Sequence, residues 1–422
     1  MLSNIINRSK SVLKFSKNCR ACGSKKVFRA ITLKPTPFED HFISKKELNI
    51  KQKKYPLVLY LCKSCNYLYL SHILNPKFSY KYYLYNTEIT LGLEKFYKKN
   101  VSFIIKKLKL NKKDTVLDIG SNDGTFLKNF KKKKINVVGI EPAVNVSKKA
   151  NKKGIKTINS FFNDKLVSKL KGNLSPSLIS ANYVFANIED INNFIDNILK
   201  ILKTNGTLAI NTGYHPTQFK KNMFDYIYHE HYSYYSISFL KVFFEKKGLE
   251  IVYAEKTIPK LGSIFLLIKR KNSNFKSKFV SKLINEEKKM GLNKLGYFKK
   301  FKKRIDKIGE ETIKVLKSIK NKNIKIIGYG ASHSTTILIH QFGLNRFLDF
   351  IVDDNKIKQG LFSPGFHIPV FEGKKIYEKF KSSVVVLAWQ HQKKIIQKNK
   401  KYFKRGGKFI IPLPGLKVIK NK

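Results

Sequence analysis

The sequence predicts an α/β protein with a small β-rich N-terminal domain followed by two α/β domains. Three observations support this prediction. All four cysteines fall within residues 1–80. A strand, a glycine turn, a helix and a second strand follow one another between residues 115 and 143, and a similar succession returns between residues 323 and 354. We therefore expect domains at residues 1–80, 81–275 and 276–422, the last beginning with linker helices.

Length and composition are those of a folded, multidomain protein. The 422 residues are enough for two or three domains, and a hydrophobic content of 42% can fill several cores. The sequence has no run of about 18 apolar residues, so we expect no membrane-spanning helix. Residues 1–17 are basic but lack the apolar centre of a signal peptide, so we expect a cytoplasmic protein.

The chain is strongly basic, with 85 lysines and arginines against 28 acids and a formal net charge of +57. Such a charge is typical of proteins that bind nucleic acid or an anionic membrane surface. Arginine, however, is the preferred bidentate reader of bases and phosphates, and only seven of the 85 cations are arginines. The lysines are scattered alongside many Asn, Ile, Phe and Tyr residues, which share A/T-rich codons. We therefore favour compositional drift over a nucleic-acid or membrane partner.

The four cysteines form two C-x-x-C pairs, Cys19 with Cys22 and Cys62 with Cys65. Each C-x-x-C turn points two sulfurs at one point, so two such pairs can hold a metal in tetrahedral thiolate coordination. Two disulfides and a redox C-x-x-C are the alternatives. We favour structural Zn²⁺, because the chain looks cytosolic and redox chemistry needs no second pair. A site closed by four thiolates is expected to be non-catalytic.

The glycine turn of the middle domain is also acidic. Gly120 and Gly124 let the backbone turn tightly and approach a ligand. Asp118 before the turn and Asp123 inside it would repel a pyrophosphate but suit a cationic ligand. Glu141, about 20 residues further on at the end of the second strand, can accept both hydroxyls of a ribose.

S-adenosylmethionine (SAM) combines an ammonium, a sulfonium and a ribose, so it fits this turn better than a dinucleotide does. An ordinary strand–helix–strand unit without a ligand is the alternative. Residues after the third and fourth strands are expected near the adenine and the methionine end of the cofactor. The predicted cofactor-binding residues are Asp118, Gly120, Ser121, Asp123, Gly124, Glu141, Pro142, Phe161 and Asn182.

The segment 224–236 holds three consecutive titratable residues, His229, Glu230 and His231, among aromatic side chains. The spacing differs from H-E-x-x-H, in which two histidines share one helical face and bind zinc. A histidine beside a glutamate can act as a general base, and the segment follows the fifth strand on the cofactor side. We favour catalysis over the alternative, a satisfied polar cluster.

An aromatic cluster that includes Tyr83 and Tyr85 precedes the first helix of the middle domain. Core packing and lining of the active-site mouth explain the cluster equally well. Under the functional interpretation Tyr85 serves catalysis and Tyr83 serves substrate binding.

The turn of the second α/β unit contains no acid. Gly328-Tyr-Gly-Ala follows a predicted strand and opens onto Ser332 and His333 at the start of a helix. Such a turn suits a phosphate at the helix N-terminus. We favour a diphosphate site over the alternative, a purely structural domain.

Three blocks together resemble the deoxysugar C-methyltransferases, which act on nucleotide-linked 4-keto sugars, and the resemblance covers nearly the whole chain. The first block, residues 19–70, contains both cysteine pairs and a Tyr55-Pro-Leu run. The second is residues 224–236, with its Tyr-His-Glu-His core. The third, residues 353–369, contains Asp-Asp-Asn, Lys-Gln-Gly, Pro-Gly and His-Ile-Pro.

The resemblance implies that SAM lies in the middle domain and that the nucleotide-linked keto sugar lies between this domain and the other two. His231 would remove the proton next to the keto group, and the resulting enolate would attack the methyl group of SAM. The implied catalytic residues are Tyr85, Tyr228, Glu230 and His231. The implied substrate-binding residues are Tyr83, His229, Gly328, Gly330, Ser332, His333, Lys358 and His367.

The chain departs from the family pattern at positions that would face the substrate. Asn211-Thr212-Gly213 ends the fifth strand where the family often has an acid and a proline. Asn187 stands where the family often has histidine, and the segment 332–334 has no family counterpart. These departures leave the sugar more open than the reaction.

Two rival functions remain at this point: a SAM-dependent methyltransferase that acts on RNA or protein, and a SAM-binding scaffold without activity. The Tyr-His-Glu-His core argues against the first, because N- and O-methylation need no base for a carbon acid. The intact pair of Asp118 and Glu141, together with the histidine segment, argues against the second.

Overall fold

The computed structural model describes residues 13–75, 87, 92–271, 277–378 and 382–421. Tyr83 and Tyr85 lie outside the described residues. The chain is a mixed α/β protein with a small β-rich region at its N-terminus and two further α/β regions, as the sequence predicts.

The N-terminal region contains two antiparallel sheets. In the smaller, β1 (Leu13–Phe15) pairs with β5 (His72–Leu74). The larger, called the N-terminal sheet below, contains β2 (Val27–Thr36), β3 (Tyr55–Cys62) and β4 (Leu68–Leu70). Alternate residues of β3, from Tyr55 to Leu61, are buried, as expected where one face packs on a core. β2 is the longest strand of this region, with 10 residues.

The middle region is a twisted sheet covered by helices. Its elements are α1 (Leu93–Leu108), β6 (Thr115–Ile119), α2 (Leu127–Lys131), β7 (Asn136–Ile140), α3 (Val144–Lys152), β8 (Thr157–Ile158), α4 (Asp164–Leu170), β9 (Leu178–Asn182), α5 (Ile191–Ile201), β10 (Thr207–Gly213), α6 (His215–Lys220), β11 (Ser233–Tyr234), α7 (Ile237–Glu245), β12 (Leu249–Thr257) and β13 (Ser263–Arg270). The sheet order is β12-β13-β10-β9-β6-β7-β8, with β10 to β8 parallel. The chain reverses its direction of winding between β6 and β9, which is where such sheets bind ligands.

β11 is separate from the rest of the middle region. It pairs with β4, with Ser233 opposite Tyr69, and so completes the N-terminal sheet. The strand begins two residues after His231. The predicted catalytic segment is therefore attached to the zinc-binding region by a β-ladder.

The C-terminal region repeats the strand–turn–helix pattern. Its elements are α8 (Lys278–Met290), α9 (Leu295–Lys320), β14 (Lys325–Tyr329), α10 (His333–Phe342), β15 (Phe350–Asp353), β16 (Val370–Glu372), β17 (Ser382–Val386), α11 (Gln392–Lys398), α12 (Lys400–Lys404), β18 (Lys408–Ile411) and β19 (Lys417–Ile419). The sheet order is β16-β15-β14-β17-β18-β19, and β19 alone among these described strands runs antiparallel to its neighbour. One face of α9 is apolar and buried at Phe298, Phe301, Ile305, Ile308 and Leu316.

The three regions share hydrophobic cores. One core joins Leu59 of β3 to Phe301 of α9 and Phe342 of α10. A second joins Cys62 and Tyr67 to the middle region. Within the described part of the chain, no helix combines the length and apolarity that crossing a bilayer requires.

Buried Glu287 of α8 fixes the start of α7. Its carboxylate accepts hydrogen bonds from the Tyr214 hydroxyl at 2.6 Å and from the backbone N–H groups of Ile237 and Ser238 at 2.6 and 2.8 Å. These are N–H groups of the first turn of a helix, which have no partner inside the helix. One side chain therefore joins three elements of the middle and C-terminal regions.

We predict that Glu287→Ala lowers the free energy of unfolding by about 2 to 4 kcal/mol, because it leaves buried donors without an acceptor. Glu286→Ala is the matched control on the same helix: its carboxylate is about two-fifths exposed and pairs with Lys256. The control should change the free energy of unfolding by less than about 1 kcal/mol. Urea unfolding followed by circular dichroism measures both. Equal losses for the two variants would contradict the assigned role of Glu287.

Candidate active site and metal centre

A cavity of about 390 Å³ lies at the carboxyl ends of β6, β7 and β9. Of the predicted cofactor residues, those that line it are Asp118, Gly120, Ser121, Glu141, Pro142, Phe161 and Asn182. Asp123 and Gly124 do not line it. The Asp123 carboxylate instead accepts hydrogen bonds from the N–H and hydroxyl of Thr125, at 3.1 and 2.6 Å, and so shapes the turn.

Gly120 lets the turn pass close to the neighbouring strand connection. Its φ is +70°, and a Cβ atom there would lie 2.3 Å from Cγ2 of Val184. Its N–H donates to the Ile140 carbonyl at 2.8 Å. No other residue type meets both demands without strain, so the glycine is required by the path of the backbone.

Two carboxylates, those of Asp118 and Glu141, line the cavity. Glu141 accepts the Asn122 N–H on Oε2 at 3.0 Å and the Ala143 N–H on Oε1 at 2.8 Å. Asp118 Oδ1 accepts the Ser180 hydroxyl at 2.6 Å and the Asn182 amide at 3.2 Å. Both carboxylates are thus held rigidly by neutral donors and keep lone pairs for a ligand.

The electrostatics of the cavity favour a cation. Burial raises the pKa of Asp118 to about 7, and burial also raises the pKa of Glu141 to about 7. The hydrogen bonds just described oppose these shifts without cancelling them. A positively charged ligand would relieve the repulsion between the two carboxylates and return them to the ionised form.

Further residues line the cavity. Phe162, after the third strand, and Tyr183, after the fourth, lie in the segments that the sequence places near the cofactor. The sequence did not single out Asn163, which directly follows Phe162, or Tyr97 of α1. Tyr97 gave no local signal, because an aromatic residue on a helix usually belongs to the core.

The four cysteines meet as predicted. Cys19 Sγ lies 3.6 Å from Cys65 Sγ, Cys22 Sγ lies 3.7 Å from Cys62 Sγ, and all four sulfurs lie within 4.8 Å of one another. Disulfide sulfurs would be about 2.0 Å apart. Thiolates around zinc, with bonds of about 2.3 Å, lie about 3.8 Å apart at tetrahedral angles. The residues therefore fit a four-thiolate zinc site.

Arg20, inside the first C-x-x-C turn, connects this site to both other sites. Its guanidinium donates to the Tyr232 carbonyl at 2.5 Å and to the Glu189 carbonyl at 2.6 Å. Tyr232 follows His231, and Glu189 lines the cavity. The zinc-binding turn therefore supports the backbone of the segment 224–236 and of the cavity wall.

The histidine segment runs between the turn Phe224–Tyr226 and β11. His231 is half-buried; its Nε2 lies 2.8 Å from the Tyr228 hydroxyl, and its Nδ1 lies 3.0 Å from the Tyr226 carbonyl. Because a carbonyl can only accept, Nδ1 carries the proton and Nε2 accepts from Tyr228. Burial, followed by the charge of Glu230, raises the pKa of Tyr228, which keeps its hydroxyl protonated.

Substrate binding by His229 stays a prediction, and the structure shows this residue fully buried. Its side chain is 0% exposed, and Nδ1 lies 2.7 Å from Oε1 of Glu39, which is also fully buried. Neighbouring residues of an irregular segment point in different directions, and here His229 points into the N-terminal region. His229 therefore holds the segment in place from behind.

Glu230 faces the C-terminal region. Its Oε2 lies 3.4 Å from Nε2 of His333, whose Nδ1 lies 3.9 Å from Oδ1 of Asp40. The Lys358 ammonium forms an ion pair with the same Asp40 oxygen. The predicted residues Glu230, His333 and Lys358 are thus brought together by Asp40, which the sequence analysis did not single out.

The glycine turn of the C-terminal region is tightly packed. Cβ atoms at Gly328 and Gly330 would lie 2.6 Å from the Leu387 side chain and 2.4 Å from Ala388 Cβ. Ser332 caps α10 by accepting the Thr335 N–H. His367 has a φ of +53° and donates its backbone N–H to the Ser363 carbonyl at 3.0 Å. The glycines thus serve the packing of the turn, and a diphosphate at this turn stays a prediction.

Family models match successive stretches of the chain. A zinc-binding domain matches residues 19–80, a methyltransferase domain matches residues 91–254, and a C-methyltransferase C-terminal domain matches residues 260–414. The first stretch holds the four cysteines, and the second holds Asp118 and Glu141.

A curated relative spans nearly the same length. The C-methyltransferase NovU of Streptomyces niveus is 26% identical over 404 residues, which are 95% of this chain and 96% of the relative. Among solved structures, a SAM-dependent methyltransferase of Clostridium acetobutylicum is 14% identical, with a TM-score of 0.35, over 42% of this chain and 92% of its own. One from Aquifex aeolicus is 21% identical, with a TM-score of 0.32, over 42% and 90%. These two structural scores are too low to carry an argument.

We predict that Cys62→Ser abolishes zinc binding and lowers the free energy of unfolding by more than about 4 kcal/mol, because a structural metal stabilises only the folded state. Ser64→Ala is the control: it changes an exposed residue between Cys62 and Cys65, and the variant should keep the metal. Elemental analysis of the purified protein and urea unfolding measure both effects. Retention of zinc by the Cys62 variant would contradict the four-thiolate site.

We predict that SAM affinity rises severalfold between about pH 6 and about pH 7.5, because SAM favours the ionised forms of Asp118 and Glu141. Without SAM the same two groups destabilise the fold as pH rises from their unfolded pKa values near 4 through 7, since burial favours the protonated forms. Titration calorimetry at both pH values measures the affinity.

Glu141→Gln should weaken SAM binding about 10- to 100-fold, since one charged acceptor is lost. Glu255→Gln, the same change on an exposed part of β12, should leave the affinity unchanged. A pH-independent affinity of the unchanged protein would refute the electrostatic account.

Proposed function

Because this chain belongs to the SAM-dependent C-methyltransferases that join a zinc-binding, a methyltransferase and a C-terminal domain, we propose that it methylates a nucleotide-linked keto-deoxysugar. The methyl group goes to the carbon next to the keto group. The observation that carries this proposal is the hydrogen-bonded pair of Tyr228 and His231, 2.8 Å apart.

The pair supplies a base with its lone pair in a defined place. The Nδ1 proton of His231 is held by the Tyr226 carbonyl, so Nε2 is the basic nitrogen. A fixed tautomer removes one source of disorder from proton transfer. Tyr228 holds the lone pair of Nε2 until a substrate arrives, and its own raised pKa keeps it a donor.

The keto group makes such a base sufficient. It acidifies the neighbouring C–H bond, and His231 Nε2 takes that proton while the electron pair moves into the enolate. The Tyr228 hydroxyl, released from Nε2, can donate to the developing enolate oxygen. SAM supplies the electrophilic methyl group, and the enolate carbon forms the new C–C bond. Close, in-line approach is the remaining requirement, and rigid positioning of both partners provides it.

The assignment of substrate class rests on the resemblance and on the position of the site. Tyr228, His231 and Glu230 lie where the N-terminal, middle and C-terminal regions meet, so a ligand with a sugar and a nucleotide can contact all three. We place the limits of these domains at residues 1–80, 81–275 and 276–422. None of the four cysteines forms a disulfide, which favours a reducing compartment. We therefore also propose that the protein is cytoplasmic.

We predict that the protein catalyses deuterium exchange at the carbon next to the keto group of a nucleotide-linked 4-keto-deoxysugar, and that His231→Ala abolishes this exchange. Methyl transfer should fall with it, while SAM affinity should not change, because His231 does not line the cofactor cavity. NMR of the sugar in deuterated buffer measures the exchange.

His391→Gln, a change at an exposed histidine of the C-terminal region, is the matched control and should keep both activities. Methylation of RNA or protein instead of any keto sugar would reject the proposal. So would full exchange by the His231 variant.

A further inference from the structure

Four charged groups of alternating sign form a continuous chain beside the proposed site. They are Lys358, Asp40, His333 and Glu230. Asp40 comes from the N-terminal region, Glu230 from the middle region, and His333 and Lys358 from the C-terminal region. The chain of charges therefore links all three regions at one place.

These four charged groups are largely buried. Lys358 is 4% exposed and Glu230 is 6% exposed, while the side chains of His333 and Asp40 are 22% and 18% exposed. The Lys358 ammonium also lies 4.1 Å from the centre of the Phe42 ring. Buried charges persist only where opposite charges compensate them, so the members of this chain depend on one another.

The row of charged groups ends beside the proposed catalytic residues. Glu230 directly precedes His231. The ring of Tyr228 lies between two imidazoles, 3.9 Å from that of His231 and 5.2 Å from that of His333, measured between ring centres. A movement of His333 would therefore change the surroundings of both Tyr228 and Glu230.

Electrostatics favour the charged form of His333. Burial alone would lower its pKa, but the carboxylates of Asp40 and Glu230 outweigh burial and raise the pKa to about 9, against a smaller opposing effect of Lys358. Burial likewise tends to raise the pKa of Asp40, yet His333 and Lys358 hold it below its ordinary value. The surroundings thus favour the charged forms of both His333 and Asp40.

We propose that His333 is a positioning residue for methyl transfer, whose imidazole fixes the carboxylate of Glu230 beside the base. The carboxylate of Glu230 offsets the positive charge that forms on His231 when it takes the substrate proton. His333 itself exchanges no proton with the substrate. The catalytic consequence of this inference rests on the proposed function. The charge state of His333 does not depend on that function and can be tested without it.

The sign of the pH dependence follows from the raised pKa. The folded state binds the His333 proton more tightly than the unfolded chain, whose histidines titrate near about 6.5. The stabilisation is fully present below that value and is lost as pH rises through about 9. Asp40, Glu230, Lys358 and Tyr228 are the charged or titratable groups that face His333 here.

The first test needs no substrate. The protein has nine histidines, so NMR of protein with isotopically labelled histidine can follow each ring, with His333→Gln identifying the signal of His333. We expect it to titrate at about pH 9. Glu230→Gln should lower that midpoint by about one to three pH units. Glu378→Gln, at an exposed carboxylate of the same region, should leave it unchanged. A midpoint at or below about 6.5, or no response to Glu230→Gln, would overturn the proposal.

The second test measures catalysis with SAM and a nucleotide-linked keto sugar that the unchanged protein methylates. His333→Gln should lower kcat about 10- to 100-fold with SAM affinity unchanged. His333→Lys keeps the positive charge; it should recover much of kcat and move the alkaline limit of activity upward, toward the ordinary lysine pKa of about 10.4. A wild-type kcat in His333→Gln, or no advantage of lysine over glutamine, would reject the positioning role. Failure of every keto sugar would count against the proposed function, and the first test would still decide the charge state of His333.

Discussion

The pairing of β11 with β4 is the contact on which the arrangement of the site depends. Leu70 donates its N–H to the Tyr232 carbonyl at 2.9 Å, and Ser233 lies opposite Tyr69. This ladder begins directly after His231. Without it the segment 224–236 would belong to the middle region alone, and its histidines could not be oriented by the zinc-binding region.

The other end of the segment is fixed by a different region. The carboxylate of Asp225 is fully buried and accepts hydrogen bonds from the Trp389 indole at 2.8 Å and the Gln390 amide at 3.0 Å. Burial raises the pKa of Asp225 to about 7 despite these donors. The segment is therefore held by the C-terminal region where it begins and by the N-terminal sheet where it ends, with Glu39 behind it. Pre-organisation of this kind lets a short, irregular segment hold a base accurately.

Local patterns were sufficient to predict the cofactor cavity and the metal site. Glu141 directly follows β7, at a distance from the glycine turn that one strand–turn–helix unit determines. The C-x-x-C spacing of the cysteines indicates that they bind one metal. The directions of the His229 and Glu230 side chains could not be predicted. An irregular segment lacks the regular repeat by which the sequence of a helix or strand indicates which side chains share a face. Asp40 gave no signal either, since its partner Lys358 lies 318 residues away along the chain. The tight packing of Gly330 against Ala388 also needed three dimensions, because the sequence alone suggested an open turn.

The insertion of β11 into the N-terminal sheet has a consequence for biosynthesis. Tyr67 of the zinc-binding region and its partner Ser233 are 166 residues apart. At about 5 to 20 residues per second, a ribosome needs about 10 to 30 s to add the missing strand. During that interval the edge of β4 is unpaired and open to association with other nascent chains. Early zinc capture by Cys62 and Cys65, which both precede β4 closely in the chain, would order this edge before its partner is made.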